Sequence, residues 1–181
     1  MIGGWDEGMA MKFKITAAAK KLLLLASASA MCVAAGSAAA HHSYAMYDGS
    51  VYRVFTGVMV RVVPNAAHFE MHFVPLNDKR DALVRDESGE PVVWVVQMES
   101  AATAFKHGIT HETFPQGTVM SMGVHPRRDG KPAGDRGDSG LFKCPMGKTP
   151  AVGKHCDSVE GAQAFGEGEL PPEGAVRKRH E

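Results

Sequence analysis

From His68 to Val74 apolar and polar residues alternate without a break, with Phe69, Met71 and Phe73 on one face and His68, Glu70 and His72 on the other. A side-chain period of two belongs to an extended chain, so this segment predicts a strand with one face on a core and one toward solvent. Pro91 to Glu99 repeats the pattern, with Val92, Trp94, Val96 and Met98 set against Val93, Val95, Gln97 and Glu99. A Val-rich stretch from Tyr52 to Val63, ended by Pro64-Asn65, reads as the strand before them. Thr118 to His125 reads as a fourth strand and Leu141 to Lys143 as a short fifth. Ser100 to Gly108 reads as a short helix with Ser100 capping its start and Gly108 its end. Turns fall at Ser88-Gly89, at Pro115-Gln-Gly117 and at Asp129-Gly130, the last followed by a Gly-rich loop to Gly140. The order strand, strand, strand, helix, strand, strand predicts an all-β fold with one short helix, a small OB-like five-stranded barrel. The strand 2–3 face of such barrels commonly binds ligands.

The N-terminus predicts export. Lys12, Lys14, Lys20 and Lys21 form a positive region, Leu22 to Leu25 opens an apolar stretch that reaches about Ala35, and Ser37-Ala-Ala-Ala40 supplies small residues for a signal peptidase. Asp6 and Glu7 do not suit a positive region, which makes Met11 a candidate for the true start. The expected organisation is a signal peptide over 1–40, a mature N-terminal segment over 41–50, an OB-like β domain over 51–145, and a disulfide loop with a flexible tail over 146–181. The apolar stretch is shorter than the roughly 20 residues a membrane span needs, so no span is expected after cleavage. The expected location is periplasmic or secreted.

Removing Lys12, Lys14, Lys20, Lys21, Asp6 and Glu7 from the 20 basic and 20 acidic residues leaves 16 and 18 in a mature chain that begins at His41. A nucleic-acid binder normally carries a basic excess, because phosphate contacts dominate its affinity, so no nucleic-acid partner is expected. Two cysteines remain, Cys144 and Cys156. In an oxidising compartment such a pair reads first as a disulfide. The competing reading is a metal site of Cys144, His155 and Cys156, but nothing nearby completes a zinc-type ligand set.

The run Ala40-His-His-Ser-Tyr-Ala-Met-Tyr-Asp48 resembles the mature start Ala-His-His-Ser-Phe-Ala-x-Phe-Asp of a family of exported bacterial proteins of unknown function. Thr56-Gly57-Val58 resembles that family's Thr-Gly-x-Val, and Asn65 to His68 falls where it has Asn-Pro-His. Trp94 followed by Gln97 falls at its Trp-x-x-Glu, and Phe105-Lys-His-Gly108 at its Leu-x-x-Gly. Gly117-Thr-Val119 and Arg128-Asp-Gly130 resemble its Gly-x-x-Val and Asp-Gly loops. The chain departs from the pattern in the extra residue of Asn65-Ala-Ala-His68 and in Gln97, where the family usually has Glu. The resemblance implies export and a small β domain, and no known reaction.

Chemistry concentrates at the predicted cleavage point. Cleavage after Ala40 would free the α-amine of His41, which together with its ring nitrogen can chelate one metal. A third imidazole from His68 or His72 would complete a T-shaped nitrogen set suited to copper. Cleavage one residue earlier would place His42 third, where amine, amides and imidazole suit a square-planar Cu(II) or Ni(II). Met46, Met71, Met120 and Met122 read as core packing before they read as Cu(I) ligands. Against the copper reading stands a metal-free binding or adaptor module whose face carries Glu70, Gln97, Glu99 and Arg61, with a periplasmic protein or a small ligand as partner. No nucleophile elbow, P-loop or His-Glu-x-x-His motif is present, so catalysis is not indicated and no cofactor other than copper is implied.

Overall fold

The computed structural model describes residues 44–65 and 67–172. The segment expected to be a signal peptide, with His41 and His42, lies outside the described residues. Seven strands form one sheet: β1 Arg53–Pro64, β2 Phe69–Pro75, β3 Trp94–Gln97, β4 Val119–Pro126, β5 Ala133–Asp135, β6 Leu141–Lys143 and β7 Gln163–Ala164. One helix, α1 Ala101–Lys106, separates β3 from β4, and a single 3-10 turn covers Cys156–Ser158. No helix among the described residues is long and apolar enough to cross a membrane.

Five of the strands close on themselves. β1 pairs antiparallel with β2, and β2 with β3. β3 runs parallel to β5, β5 antiparallel to β4, and β4 returns antiparallel to β1. The protein is therefore mostly β, with one closed five-stranded barrel and a single short helix, compatible with the OB-like expectation. The fifth barrel strand is a correction. It is Ala133–Asp135, inside the segment expected to be a Gly-rich loop, whereas Leu141–Lys143 pairs with β4 outside the ring. Three residues with a central glycine carry no apolar alternation, so the strand exists only through its partners. A Cβ at Gly134 would collide with the Val124 side chain and the His125 carbonyl, so the close approach of β5 to β4 requires glycine there.

β1 serves two neighbours because it bends. Its register against β2 slips between Met59 and Arg61, a bulge that lets its first half pair with β4 and its second with β2. Gly57 pairs on both sides at this corner, and a Cβ there would lie 2.6 Å from the Phe73 ring and 2.7 Å from the Val74 carbonyl oxygen.

The barrel interior takes the faces that the alternation assigned. Phe69, Met71, Phe73 and Val96 are fully buried, and Trp94 and Met98 nearly so. Met59, Met120, Met122 and Val124 complete the filling from β1 and β4. Met71, Met120 and Met122 are core side chains, in keeping with the packing reading, whereas Met46 is exposed and corrects it. Ser100 caps α1 by accepting from the Thr103 N–H, and Gly108, at φ +74°, follows its end. Ala104 within the helix, and Ile109 and Phe114 beyond it, continue the core.

The C-terminal part makes specific contacts with the barrel as far as the described residues run, to Pro172. Cys144 and Cys156 form a disulfide with Cα atoms 5.0 Å apart, which removes the reading of these cysteines as metal ligands. The Cys156 N–H donates to Ser121 Oγ, and His155 Nδ1 lies 2.9 Å from Thr56 Oγ1. β7 pairs with β6, the Phe165 ring packs on Phe114, and Arg136 Nη2 donates to the Glu167 carbonyl. Apolar Phe165 and a set of backbone hydrogen bonds thus hold a Gly- and Glu-rich segment whose composition alone suggests disorder.

Candidate functional site

A polar row crosses the barrel where β2, β3, β5 and β4 meet. The register places Glu70 beside Gln97, Gln97 beside Asp135, and Asp135 beside His125. The N-terminal segment lies alongside this row. Asp48 N–H donates to the Pro126 carbonyl, Arg128 N–H donates to the Met46 carbonyl, and Tyr47 bridges to Arg127. Tyr47, 6% exposed, donates its hydroxyl to Gln97 Oε1 at 3.0 Å. Tyr44 meets the His68 ring edge-on, with centroids 6.3 Å apart.

Asp135 and His125 form the inner end of the row. Burial raises the Asp135 pKa, and the charges of His125, His68 and Arg136 and a hydrogen bond from the Gly137 N–H oppose that rise. Burial likewise raises the Tyr47 pKa, helped by the negative charge of Asp135. His125 is 4% exposed, and its Nδ1 donates to the Val51 carbonyl at 2.8 Å. A carbonyl oxygen only accepts, so Nδ1 holds the hydrogen and Nε2 is the atom left to face the row. A Cβ at Gly137 would lie 3.3 Å from His125 Nε2 and 3.7 Å from Asp135 Oδ2, so both groups border that glycine.

The sequence-predicted residues fall into separate groups. Arg61, His72 and Glu70 form a chain in which Arg61 Nε donates to His72 Nδ1 at 3.4 Å and His72 Nε2 meets Glu70 Oε2 at 2.9 Å. An arginine only donates, so the ring hydrogen of neutral His72 is on Nε2 and points at the carboxylate. His72 is only 8% exposed and both its ring nitrogens are engaged. His68 is partly exposed, and among the described residues no hydrogen bond reaches its ring. Gln97 sits in the row. Glu99 is turned to other work, with its carboxylate held by Arg136 at 3.2 Å and by His107 Nδ1 at 3.1 Å. The proposed face of Arg61, Glu70, Gln97 and Glu99 is thus three residues sharing one surface and a fourth committed to an ion-pair cluster.

Sequence reasoning missed Tyr47, Asp135 and His125. Tyr47 stands in a conspicuous motif, but nothing local says where its hydroxyl ends. Asp135 carries no signal at all, because its role comes from the parallel pairing of β5 with β3.

Chemically, the row offers a half-buried carboxylate between imidazoles, a phenol and a carboxamide, a set that can hold a cation or a hydrogen-bonding ligand. Among the described residues no three His, Cys, Asp or Glu side chains converge on a metal position by themselves. A metal in this row would need donors from elsewhere in the chain.

No curated protein and no solved structure matches the chain. A family model does match, over residues 29–136, a span that contains all five barrel strands and the row from Tyr47 to Asp135 and stops before the disulfide. The chain belongs to that family, a family of unknown function designated DUF6152.

Proposed function

We propose that this protein is an exported binding module that takes its ligand on the outer β1–β3 surface, against the N-terminal segment. The observation that carries the reading is the Tyr47 hydroxyl on Gln97, which fastens the segment to a row of polar side chains instead of leaving it in solvent. The test is native mass spectrometry of protein purified from the periplasm with its own signal peptide. The expected result is a chain beginning at His41 with a bound ligand or partner that Tyr47→Phe and Gln97→Ala both loosen. A mature chain that retains Leu22 to Leu25, or occupancy indifferent to both variants, overturns it.

One observation favours a second reading in which the ligand is copper. Tyr44 rests on His68, and His41 is three residues upstream of Tyr44 in the sequence. The α-amine and ring nitrogen of His41, with the imidazole of His68, make three nitrogen donors, and Asp135 supplies negative charge nearby. His68 is the better third donor than His72, whose ring nitrogens already serve Arg61 and Glu70. Calorimetry with Cu(II) on the native mature chain, on a chain with Gly-Ser ahead of His41, and on His68→Ala separates the readings. Copper predicts a loss of at least about tenfold, roughly 1.4 kcal/mol, for the extended terminus and for His68→Ala alike. Equal affinity for native and extended termini removes copper and leaves the metal-free module.

A further inference from the structure

A groove of about 610 Å³ lies between the start of β1 and the segment that follows β2, with Val152 and Gly153 closing one side. None of the residues in the row above contributes to it. Its size falls in the range of roughly 300–1,000 Å³ typical of small-molecule sites.

The lining has two characters. Phe55, Leu76, Val84 and Val152 supply an apolar wall. Arg53 and Arg80 supply two guanidinium groups, against a single carboxylate, Asp78. Among the described residues neither arginine forms an ion pair, although seven other ion pairs are present. Guanidinium stays charged at any ordinary pH, so the groove keeps a net positive character.

Arg80 has two further peculiarities. It is the only non-glycine with positive φ among the described residues, at 61°. A bulky residue held there is strained, and such strain persists where the surroundings impose it, often at ligand clamps. Its Nη2 donates to the Lys154 carbonyl at 3.1 Å, while its Nε is shielded from solvent and has no acceptor among the described residues. The head is therefore anchored at one corner with its hydrogen-bonding capacity incompletely used. A carboxylate matches the planar fork of an arginine, and a modest rotation of the head would present Nε and an Nη together.

We propose that this groove binds a small organic carboxylate, with its charged end on Arg80 and Arg53 and its apolar body along Phe55, Leu76 and Val84. Inorganic anions lack the apolar body, and uncharged apolar molecules leave both guanidinium groups unmatched. The Cys144–Cys156 disulfide contributes indirectly, because Val152, Gly153 and Lys154 lie within the loop it closes.

The experiment uses the full mature chain and three probes, octanoate, octan-1-ol and inorganic phosphate, followed by backbone amide shifts in a ¹⁵N-labelled sample. Octanoate is expected to saturate, with its largest shifts confined to 51–56, 76–84 and 152–154. Octan-1-ol and phosphate are each expected to bind at least about tenfold more weakly, the loss of one charge-assisted contact or of the apolar contact. Arg80→Gln should weaken octanoate by about the same factor, and Arg53→Gln, at an exposed position, should weaken it without touching the fold. Equal binding of octanoate and octan-1-ol, phosphate as tight as octanoate, shifts centred elsewhere, or no change in either arginine variant each overturns the proposal. Should Arg80→Gln fail to fold, Arg53→Gln and the octanol comparison decide the matter.

Discussion

Replacing Trp94 with alanine tests the barrel most directly. The ring is 8% exposed and packs at a tilt on Phe55, with centroids 4.4 Å apart, on the strand face that also carries fully buried Val96. A buried aromatic removes about 150–250 Å² from water. At about 25 cal/mol per Å² that is roughly 4–6 kcal/mol of transfer energy. A compact denatured chain already hides part of this surface, which lowers the figure by roughly 10–40%. The lost pairing with Phe55 restores about 0.5–1.5 kcal/mol. The expected cost is therefore about 3–5 kcal/mol, the range found for removing large aromatics from cores. Because a domain of this size is stable by about 5–15 kcal/mol, the variant should remain folded but with a much lower urea midpoint. Far-UV circular dichroism is the proper probe, since Trp5 precedes the predicted cleavage point and Trp94 is the mature chain's own fluorophore. Trp94→Phe keeps a ring against Phe55 and should lose clearly less than the alanine variant. A loss below about 1 kcal/mol for alanine, at unchanged urea dependence, would put the ring in solvent and undo the inward assignment of β3.

Replacing both Cys144 and Cys156 with serine should cost about 3 kcal/mol for a loop of this length, and peptide mapping without reductant should recover the linked pair from the natural protein. Unchanged stability would mean that Phe165 and the β6–β7 pairing hold the segment unaided. Gly57→Ala places a methyl against the Phe73 ring and the Val74 carbonyl, and should destabilise by about 1–3 kcal/mol in chemical denaturation. A neutral result would mean the corner is less tightly closed than its contacts indicate. Asp135 is an acid whose folded pKa is raised by burial, so its contribution to stability is complete below its ordinary value of 3.8 and is lost as pH climbs through the raised value. Asp135→Asn should therefore raise the unfolding midpoint at pH 7 and leave it unchanged near pH 3; equal effects at both pH values would refute a carboxylate whose ionisation burial opposes.

What the sequence by itself determined is local. Period-two alternation names the inward side chains of β2 and β3, because a strand turns successive residues to opposite faces whatever it pairs with. Ser100 and Gly108 mark the ends of α1 because capping needs only a side chain or a φ within one turn. The disulfide was legible because only two cysteines follow the predicted cleavage point. The tertiary structure alone decided everything that depends on pairing across long stretches of chain. Ala133–Asp135 becomes the closing strand through its neighbours Val95 to Gln97 and His125, so no pattern within its three residues could announce it. Closure then half-buries Asp135 beside His125, sets Tyr47 on Gln97, and gives Glu99 to Arg136. The same holds for the groove, whose walls come from β1, from the 75–84 segment and from the disulfide loop, stretches up to a hundred positions apart that only the closed barrel brings together. A residue's type and period follow from its own covalent chain, whereas its burial and its charged neighbours follow from which distant strands share its hydrogen bonds.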